Sequence, residues 1–494
     1  MTISDEEPLE RSRTVELTMC SSAHRRPTTD ESRQRSSERD ECQGSSQRQN
    51  DRRDDTRAGP IGDRAMNRVT VDEVTATDTT LRATVTTSGR VGRFVTDDPF
   101  VADYGVDIAA VPESLLVVPV LAHVCPVAWA TGATVAVDRV DAAFLDSLRH
   151  VGQRLCEMYP SFMQGGRIVC EESVDGSHDP GERAGSALLF TGGVDSTATY
   201  VRHESEQPDL ISVRGWVMRE RDRWQRNREF FADFAAERGL DAHFVESNML
   251  SFLATPLLQA HFQRYLDGAW YSSVGHGLGL LGLCAPLTAA ADIGRLYIAA
   301  THTEEWTRPW GSHPTIDDHV QWSGTAATHD GYESTRQEKI ETIADYVDRH
   351  SREITLRTCV HAEGPQNCSH CEKCYRTIVG LLLAGLDPND HGYDYDAATV
   401  AAIRDTFDSG KKHLSAQKRY HWETLQDAAR EVETIEAPGG AELLGWLRDA
   451  DFGASVEQST RPLGQRLLQA TARQVPTSVY ATLYPVYRRL AAGQ

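Results

Sequence analysis

Two stretches of the chain carry residue types whose spacing suits chemistry on phosphate and on metal. The first is Ala187-Leu188-Leu189-Phe190-Thr191-Gly192-Gly193-Val194-Asp195-Ser196: an apolar strand, a glycine pair, then Asp-Ser opening a helical pattern. Adjacent glycines let the backbone approach an anion, and a helix starting there aims free amides and its positive dipole end at it. Thr191 and Ser196 add hydroxyl donors, and Asp195 is placed to hold Mg2+ or to fix the loop. No lysine follows the glycines and the spacing is not GxGxxG, so this is neither a Walker A loop nor a dinucleotide fingerprint. A tight turn with no ligand is the competing reading.

The second stretch holds Cys359, Cys368, Cys371 and Cys374, spaced C-x8-C-x2-C-x2-C. Four thiolates can close a tetrahedron around Zn2+, and a two-residue spacer lets neighbouring ligands meet on one ion. Buried reduced cysteines, an iron-sulfur cluster and a redox pair are the alternatives. His361 and His370 are spare ligands, and the other six cysteines, scattered singly, read as core or tail residues. Two weaker constellations complete the set. His302 and His313 lie in a proline-rich loop, where either could take a proton from an incoming amine or be purely structural. Arg336 and Lys339 stand three apart on one helix face and could steady departing pyrophosphate, the alternative being a solvated, ion-paired face. In a chain with five lysines, Lys339 is the stronger candidate of the two.

Across Thr191 to Ser196 the chain resembles the PP-loop ATP pyrophosphatase superfamily, whose phosphate loop reads SGGxDS; Thr191 replaces the first serine and keeps its hydroxyl. The resemblance implies an adenine nucleotide alpha hydrolase-like fold that binds ATP through Thr191, Gly192, Gly193, Val194, Asp195 and Ser196 and cleaves it between the α and β phosphates. It also implies that adenine lies near Val213 to Trp216, with Asn248 at the sheet's functional edge or capping a helix. With the downstream cysteines, the chain is most similar to the 7-cyano-7-deazaguanine synthase branch, which has a zinc site of this spacing and converts an ATP-activated carboxylate to an amide and then a nitrile. The similarity covers about residues 187 to 386. The extra segment 66–180 and the loop text Pro309-Trp310-Gly311-Ser312-His313-Pro314-Thr315-Ile316-Asp317 depart from that branch and leave the acceptor open. The expected activity is therefore adenylylation of a small-molecule carboxylate, then attack by a nitrogen nucleophile, by a C–N bond-forming ligase. The alternatives are sulfur transfer through a persulfide on Cys371 or Cys374, and an ATP-binding scaffold without turnover.

These residues need a scaffold. Strands are expected at 187–190, 210–217, 242–246 and 295–300, with helices near 195–204, 226–238 and 271–291 between them. That alternation predicts a parallel α/β sheet with right-handed crossovers, whose ligands bind beyond the carboxyl ends of the strands. Together with the four-cysteine zinc segment it forms an expected ATP-binding domain at 181–400. Before it, 66–180 reads as a small α+β domain: β-like alternation from Val69 to Val137, including the apolar run Leu115–Val137, a helix at 141–159 and an exit linker at 171–186. Residues 401–494 read as helical, including 462–473. Residues 1–65 are a polyampholytic tail, expected to be disordered, with translation from Met66 as the alternative.

Composition narrows the class. The 494 residues suffice for two to four domains. Lys plus Arg is 51 against 72 for Asp plus Glu, a formal charge of -21, which disfavours generic nucleic-acid binding. The acidic, lysine-poor composition resembles that of proteins from a salt-rich cytoplasm. Charged residues open the chain in place of an apolar leader, so a cytoplasmic location without membrane association is expected. The expected partners are a small-molecule substrate, an ammonia or sulfur donor, and a second copy in a homo-oligomer.

Overall fold

The computed structural model describes residues 15–18, 67–181, 184–216, 221–359, 367–408, 414–452 and 479. The expected helix at 462–473 and His361 lie outside these residues. Among the described residues, twelve strands make one mostly parallel sheet: β1 (Val15–Thr18), β2 (Arg68–Thr77), β3 (Thr80–Ser88), β4 (Phe100–Asp103), β5 (Thr134–Asp141), β6 (Arg167–Val174), β7 (Gly185–Leu189), β8 (Asp209–Arg214), β9 (Ala242–Ser247), β10 (Ile293–Ala299), β11 (Gln321–Trp322) and β12 (Thr325–Asp330). Their order is β1-β6-β5-β2-β3-β4-β9-β8-β7-β10-β12-β11.

The half that positions the site runs β9-β8-β7-β10-β12, all parallel. From β7 the chain builds outward through β8 and β9, then returns to the other side of β7 with β10 and β12. In such an order the crevice forms beyond the carboxyl ends of the strands where the direction of winding reverses, here β7 and β10. Alternate residues of β7 face two different apolar cores, Ala187 and Leu189 one and Leu188 the other. Burial on both faces explains why this strand reads as a continuous apolar run. The fifth parallel strand, β12, is not among the expected ones: Thr325-Ala-Ala-Thr-His-Asp330 is short of the branched apolar residues that signal a buried strand.

Elsewhere the structure differs from the expected elements. The run Leu115–Val137, expected as strands and turns, is mostly helical: Glu113–Leu116, then Val118–Thr131, ending at Gly132 with φ 66° before β5 begins at Thr134. Every residue of Val118–Thr131 is buried, so no polar stripe marks its period, and Pro119 sits in the first turn where its missing N–H costs nothing. The segment expected as a separate α+β domain shares sheet and core with the rest. β4 pairs antiparallel with β9 (Ala102 opposite Ser247), and one buried cluster runs from Val69 to Ala327. Within the expected tail, Val15–Thr18 pairs antiparallel with β6, and Glu16 accepts from Arg167 at 2.9 Å. The expected linker at 171–186 is occupied partly by β6 and the start of β7.

The expected helix at 141–159 is Ala142–Met158, N-capped by Asp141. That at 271–291 is a π-turn, Tyr271–Gly275, followed by helices His276–Leu283 and Ala285–Ala290. Among the described residues, Tyr271–Ala290 alone is long and apolar enough to cross a membrane, but it is 94% buried in the core, where apolar composition is the ordinary consequence of burial. Helices Ala397–Asp408, Ala416–Glu431 and Gly440–Asp449 follow the last strand and pack with Glu372–Leu383 in the second core.

Candidate functional site

The loop after β7 turns on Gly192, whose φ is 68° and whose added Cβ would fall 2.8 Å from the Phe230 ring, so only glycine fits. Gly193 then caps helix Val194–His203 without a side-chain acceptor, leaving the first helical amides uncapped by any side chain. Ser196 closes the loop. Its Oγ accepts from the Thr191 amide at 3.3 Å, lies 3.3 Å from the Thr191 hydroxyl and donates to the Gly193 carbonyl at 3.4 Å.

Asp195 is the loop's electrostatic anchor. Arg336 Nη2 donates to its Oδ2 at 2.8 Å and Lys339 Nζ lies 3.8 Å from its Oδ1. Burial alone would raise this carboxyl, but Arg336, Lys339, Lys373 and Arg376 outweigh burial and hold it below its ordinary value. The helix carrying the first two cations, Arg336–His350, starts where it does because Thr335 and Glu338 form a reciprocal capping box. Arg336 and Lys339 are 8% and 1% exposed, so this face is not the solvated one that ordinary surface pairing would produce. Lys339 is committed inward: its Nζ donates to the Ala300 carbonyl at 2.7 Å, just beyond β10. Burial lowers its pKa, and Asp195 offsets part of that shift.

Beside this loop is a cavity of about 330 Å³ whose lining includes Thr191, Gly193, Asp195 and Ser196. Arg223, Arg336, Arg357 and Lys373 contribute four cations to its wall, against Asp195 as the only carboxylate among the lining residues. Such a field suits a polyanion. Trp216, His276, Leu280, Ile298 and Trp310 form the opposite, largely apolar wall. Lys339, the favoured lysine in the sequence, is absent from the lining; Lys373 takes the place expected of it. Burial, with Arg336 and Arg376 adding to it, brings Lys373 down to about 8.

The four cysteines converge. The Sγ atoms of Cys359, Cys368, Cys371 and Cys374 all lie within 4.8 Å of one another and could hold a metal ion. Three separations are 3.9 Å (Cys359–Cys371), 3.7 Å (Cys368–Cys374) and 3.5 Å (Cys371–Cys374). This group shares a wall with the cavity: Cys359 lines it, Lys373 stands between two of the cysteines, and the Arg357 amide donates to the Gly192 carbonyl at 2.6 Å. Among the other cysteines, Cys125, Cys170 and Cys284 are buried free thiols, whereas Cys156, expected as a lone core residue, is disulfide-bonded.

The remaining candidates have different places. His313 is outside the lining. It caps helix Pro314–Asp317, its Nδ1 accepting from the Thr315 amide at 3.2 Å, and its Nε2 meets the Tyr332 hydroxyl at 3.2 Å. His302 is buried between Trp306 and Trp310, with ring centroids 5.1 and 5.0 Å away, and burial brings it down to about 4. Asn248 neither lines the cavity nor caps a helix with its side chain; it accepts from the Val101 amide at 2.9 Å and donates to the Pro99 carbonyl at 2.8 Å, tying β4 to the end of β9. Sequence reasoning missed Arg223, Arg357, Lys373 and His276. The arginines are hidden among many others, but Lys373, one of five lysines and placed between two of the clustered cysteines, carried a usable signal. A scan against protein-family models and a search of the curated proteins gave no match to this chain.

Proposed function

We propose that the protein is a PP-loop-type enzyme that adenylylates an acceptor oxygen, a carboxylate by preference, and passes the activated group to a nitrogen nucleophile. The observation that carries this reading is the glycine loop at the winding reversal of the sheet, opening onto one cavity with Arg223, Arg336, Arg357 and Lys373. The strand order β9-β8-β7-β10-β12 supports it, being the 3-2-1-4-5 arrangement of doubly wound nucleotide-binding sheets. On this reading the acceptor oxygen attacks the α phosphorus of ATP, the bond to the bridging oxygen breaks, and pyrophosphate leaves toward the loop amides, Arg336 and Lys373. Preorganised donors there stabilise the departing charge without reorganisation. Asp195 Oδ1 is buried without a hydrogen-bond partner and would hold Mg2+, which supplies charge neutralisation. Trp216, on the segment following β8, lines the cavity and on this reading packs against adenine.

The cysteine group fits Zn2+. Zinc–thiolate bonds of about 2.3 Å set tetrahedral sulfurs roughly 3.8 Å apart, close to the separations of 3.5, 3.7 and 3.9 Å found here. Zinc held by all four would leave no open position, so its role is to fix Cys359, Lys373 and the Arg357 segment against the loop. The test is pyrophosphate release from Mg-ATP in high salt, screened across carboxylates with ammonium as nucleophile. Acceptor-dependent release of pyrophosphate with AMP supports the reading; stoichiometric ATP binding without release selects the scaffold alternative.

A further inference from the structure

The adenylylation reading leaves the nitrogen substrate without a site and the segment 66–180 without a role. Both gaps meet at a second cavity, of about 900 Å³, at the carboxyl ends of β8 and β9. Thr96, Val101 and Asp103 of that segment line one side, and Arg214, Gly215, Glu246 and Ser247 line the other. Cavities of this size hold small organic molecules, and the carboxyl edge of a parallel sheet is where such sheets bind them. The walls are fixed by the strands themselves. Gly215 has φ 139°, and a Cβ there would fall 2.5 Å from the Ser247 carbonyl oxygen, so the end of β8 lies directly against the end of β9. Asn248 ties β9 in turn to β4. Gly215 lines this cavity and Trp216 lines the one beside the glycine loop, so the chain leaving β8 runs between the two.

The lining has an excess of hydrogen-bond acceptors. A hydroxyl has one proton and two lone pairs, and the four hydroxyls here all spend the proton inside the protein. Thr96 Oγ1 donates to the Phe252 carbonyl at 2.9 Å, Ser247 Oγ to that of Val101 at 3.0 Å, Ser251 Oγ to that of Asn248 at 3.1 Å and Thr255 Oγ1 to that of Leu250 at 2.5 Å. Arg214, the only cation among the lining residues, donates to Glu246 Oε2 at 2.7 Å, and Trp224 Nε1 donates to Glu246 Oε1 at 2.7 Å, so that carboxylate is paired. Asp103 is not paired in this way. It accepts from the Thr79 and Thr80 hydroxyls at 3.0 and 3.1 Å and from the Gly105 amide at 3.0 Å, all of them neutral groups. Asn248 and Gln259 add amide nitrogens, which are neutral donors. A positively charged molecule rich in N–H donors completes such a wall, whereas an anion meets lone pairs and an uncompensated carboxylate.

We propose that this second cavity binds the nitrogen substrate, an organic primary amine held in its ammonium form with Asp103 as counter-ion. The role of the amine rests on the adenylylation reading; its binding does not. The segment 66–180 then has a function, which is to supply Thr96 and Asp103 to a site that the nucleotide-binding half of the sheet does not complete alone.

The test is calorimetry on the full-length protein, without nucleotide and at the lowest salt that keeps it folded, with putrescine, 1,4-butanediol and succinate as probes of one length and different charge. Putrescine is expected to bind about tenfold or more tightly than the diol, and succinate not at all. Asp103→Asn keeps an acceptor for Thr79 and Thr80 and is expected to weaken putrescine about tenfold. Ser251→Lys puts a fixed cation at an exposed position of the lining and is expected to abolish putrescine binding at unchanged Tm. Failure of putrescine to bind, equal affinity for putrescine and the diol, or wild-type affinity in both variants overturns the proposal. Product analysis in the acceptor screen separates the two readings. An amide of putrescine, formed with a KM for the amine that rises about tenfold in Asp103→Asn, supports the proposal. Amide formation from ammonium by a protein that binds no putrescine overturns the second site and keeps the adenylylation reading. Putrescine binding without release of pyrophosphate from Mg-ATP overturns the adenylylation reading, and with it the amine's role as substrate, and leaves the cavity an ammonium site.

Discussion

The two walls of the cavity are built on different plans. On the loop side the charges offset one another: Asp195 Oδ2 is bound by Arg336, its Oδ1 lies 3.8 Å from Lys339 without a hydrogen bond, and Ser196 is shared with Thr191 and Gly193. On the opposite side are Trp216, His276 and Trp310, with His276 Nδ1 and Trp310 Nε1 unpartnered. A charge buried in a cavity wall must be paired whether or not a ligand is present, because an isolated ion out of water costs several kcal/mol, whereas a neutral imidazole tolerates an unmet hydrogen bond for about 1–3 kcal/mol. The charged wall thus balances its own charge, while the aromatic wall carries neutral groups whose hydrogen bonds are unmet.

The largest effect is expected on the charged wall. Asp195→Asn keeps the shape but removes the charge that orders Arg336 and Lys339, and is expected to reduce pyrophosphate release by a hundredfold or more, measured with Mg-ATP. Asp195→Asn and Asp195→Ala both leave two cations uncompensated, and each is expected to destabilise the fold by about 3 kcal/mol in denaturant titration. A fully active Asp195→Asn would remove the loop from the chemistry.

The metal group comes second. Removing Cys368 by substitution with serine, or stripping the ion with a chelator, is expected to lower Tm by several degrees and to weaken nucleotide binding together, since ligand-binding energy at a closed thiolate site is folding energy and this site holds Cys359 and Lys373 in the wall. Metal analysis is expected to give one zinc per chain without iron-sulfur absorbance. A metal-free protein of equal stability and equal nucleotide affinity would sever the two sites.

The same contrast explains what can be read in advance. The glycine loop and the cysteines are local in sequence, and their chemistry follows from neighbours a few residues apart; the structure brings the cysteines within reach of one ion and puts the loop at the winding reversal. The aromatic wall joins residues from three places, Trp216 after β8, His276 from a fully buried helix and Trp310 from the loop after β10, and no spacing rule connects them. The helix Val118–Thr131 is illegible for a related reason: burial on all sides erases the periodicity that reveals a helix. The continuity of the sheet through β4 and β9 depends on two paired residues, too few to leave a pattern in either strand.

A smaller effect is expected in acid. Because Asp195 is held below its ordinary value of 3.8, its charge contributes stability that is fully present above that value and is lost as pH falls through the lower, folded-state value. The wild type is therefore expected to lose stability more steeply than Asp195→Asn below about pH 4, in denaturant titrations at fixed salt. Equal acid slopes for the two proteins would mean that the cations do not lower this carboxyl in solution.

The smallest effect is expected at His313, and it sharpens the comparison because the sequence points to this residue and the structure points away from it. Its Nδ1 caps the Pro314–Asp317 turn and its Nε2 meets Tyr332, so both ring nitrogens are engaged within the protein. Replacing a helix cap costs about 1 kcal/mol, and His313→Ala is expected to show that loss in denaturant titration. The turn it caps follows Trp310, a lining residue, so a few-fold fall in acceptor-dependent turnover is the most that this route transmits. Nucleotide affinity by calorimetry is expected to be unchanged, since His313 is outside the cavity lining. A hundredfold loss of turnover at normal stability would return His313 to the chemistry, because a cap that acts only through its turn cannot transmit so large an effect.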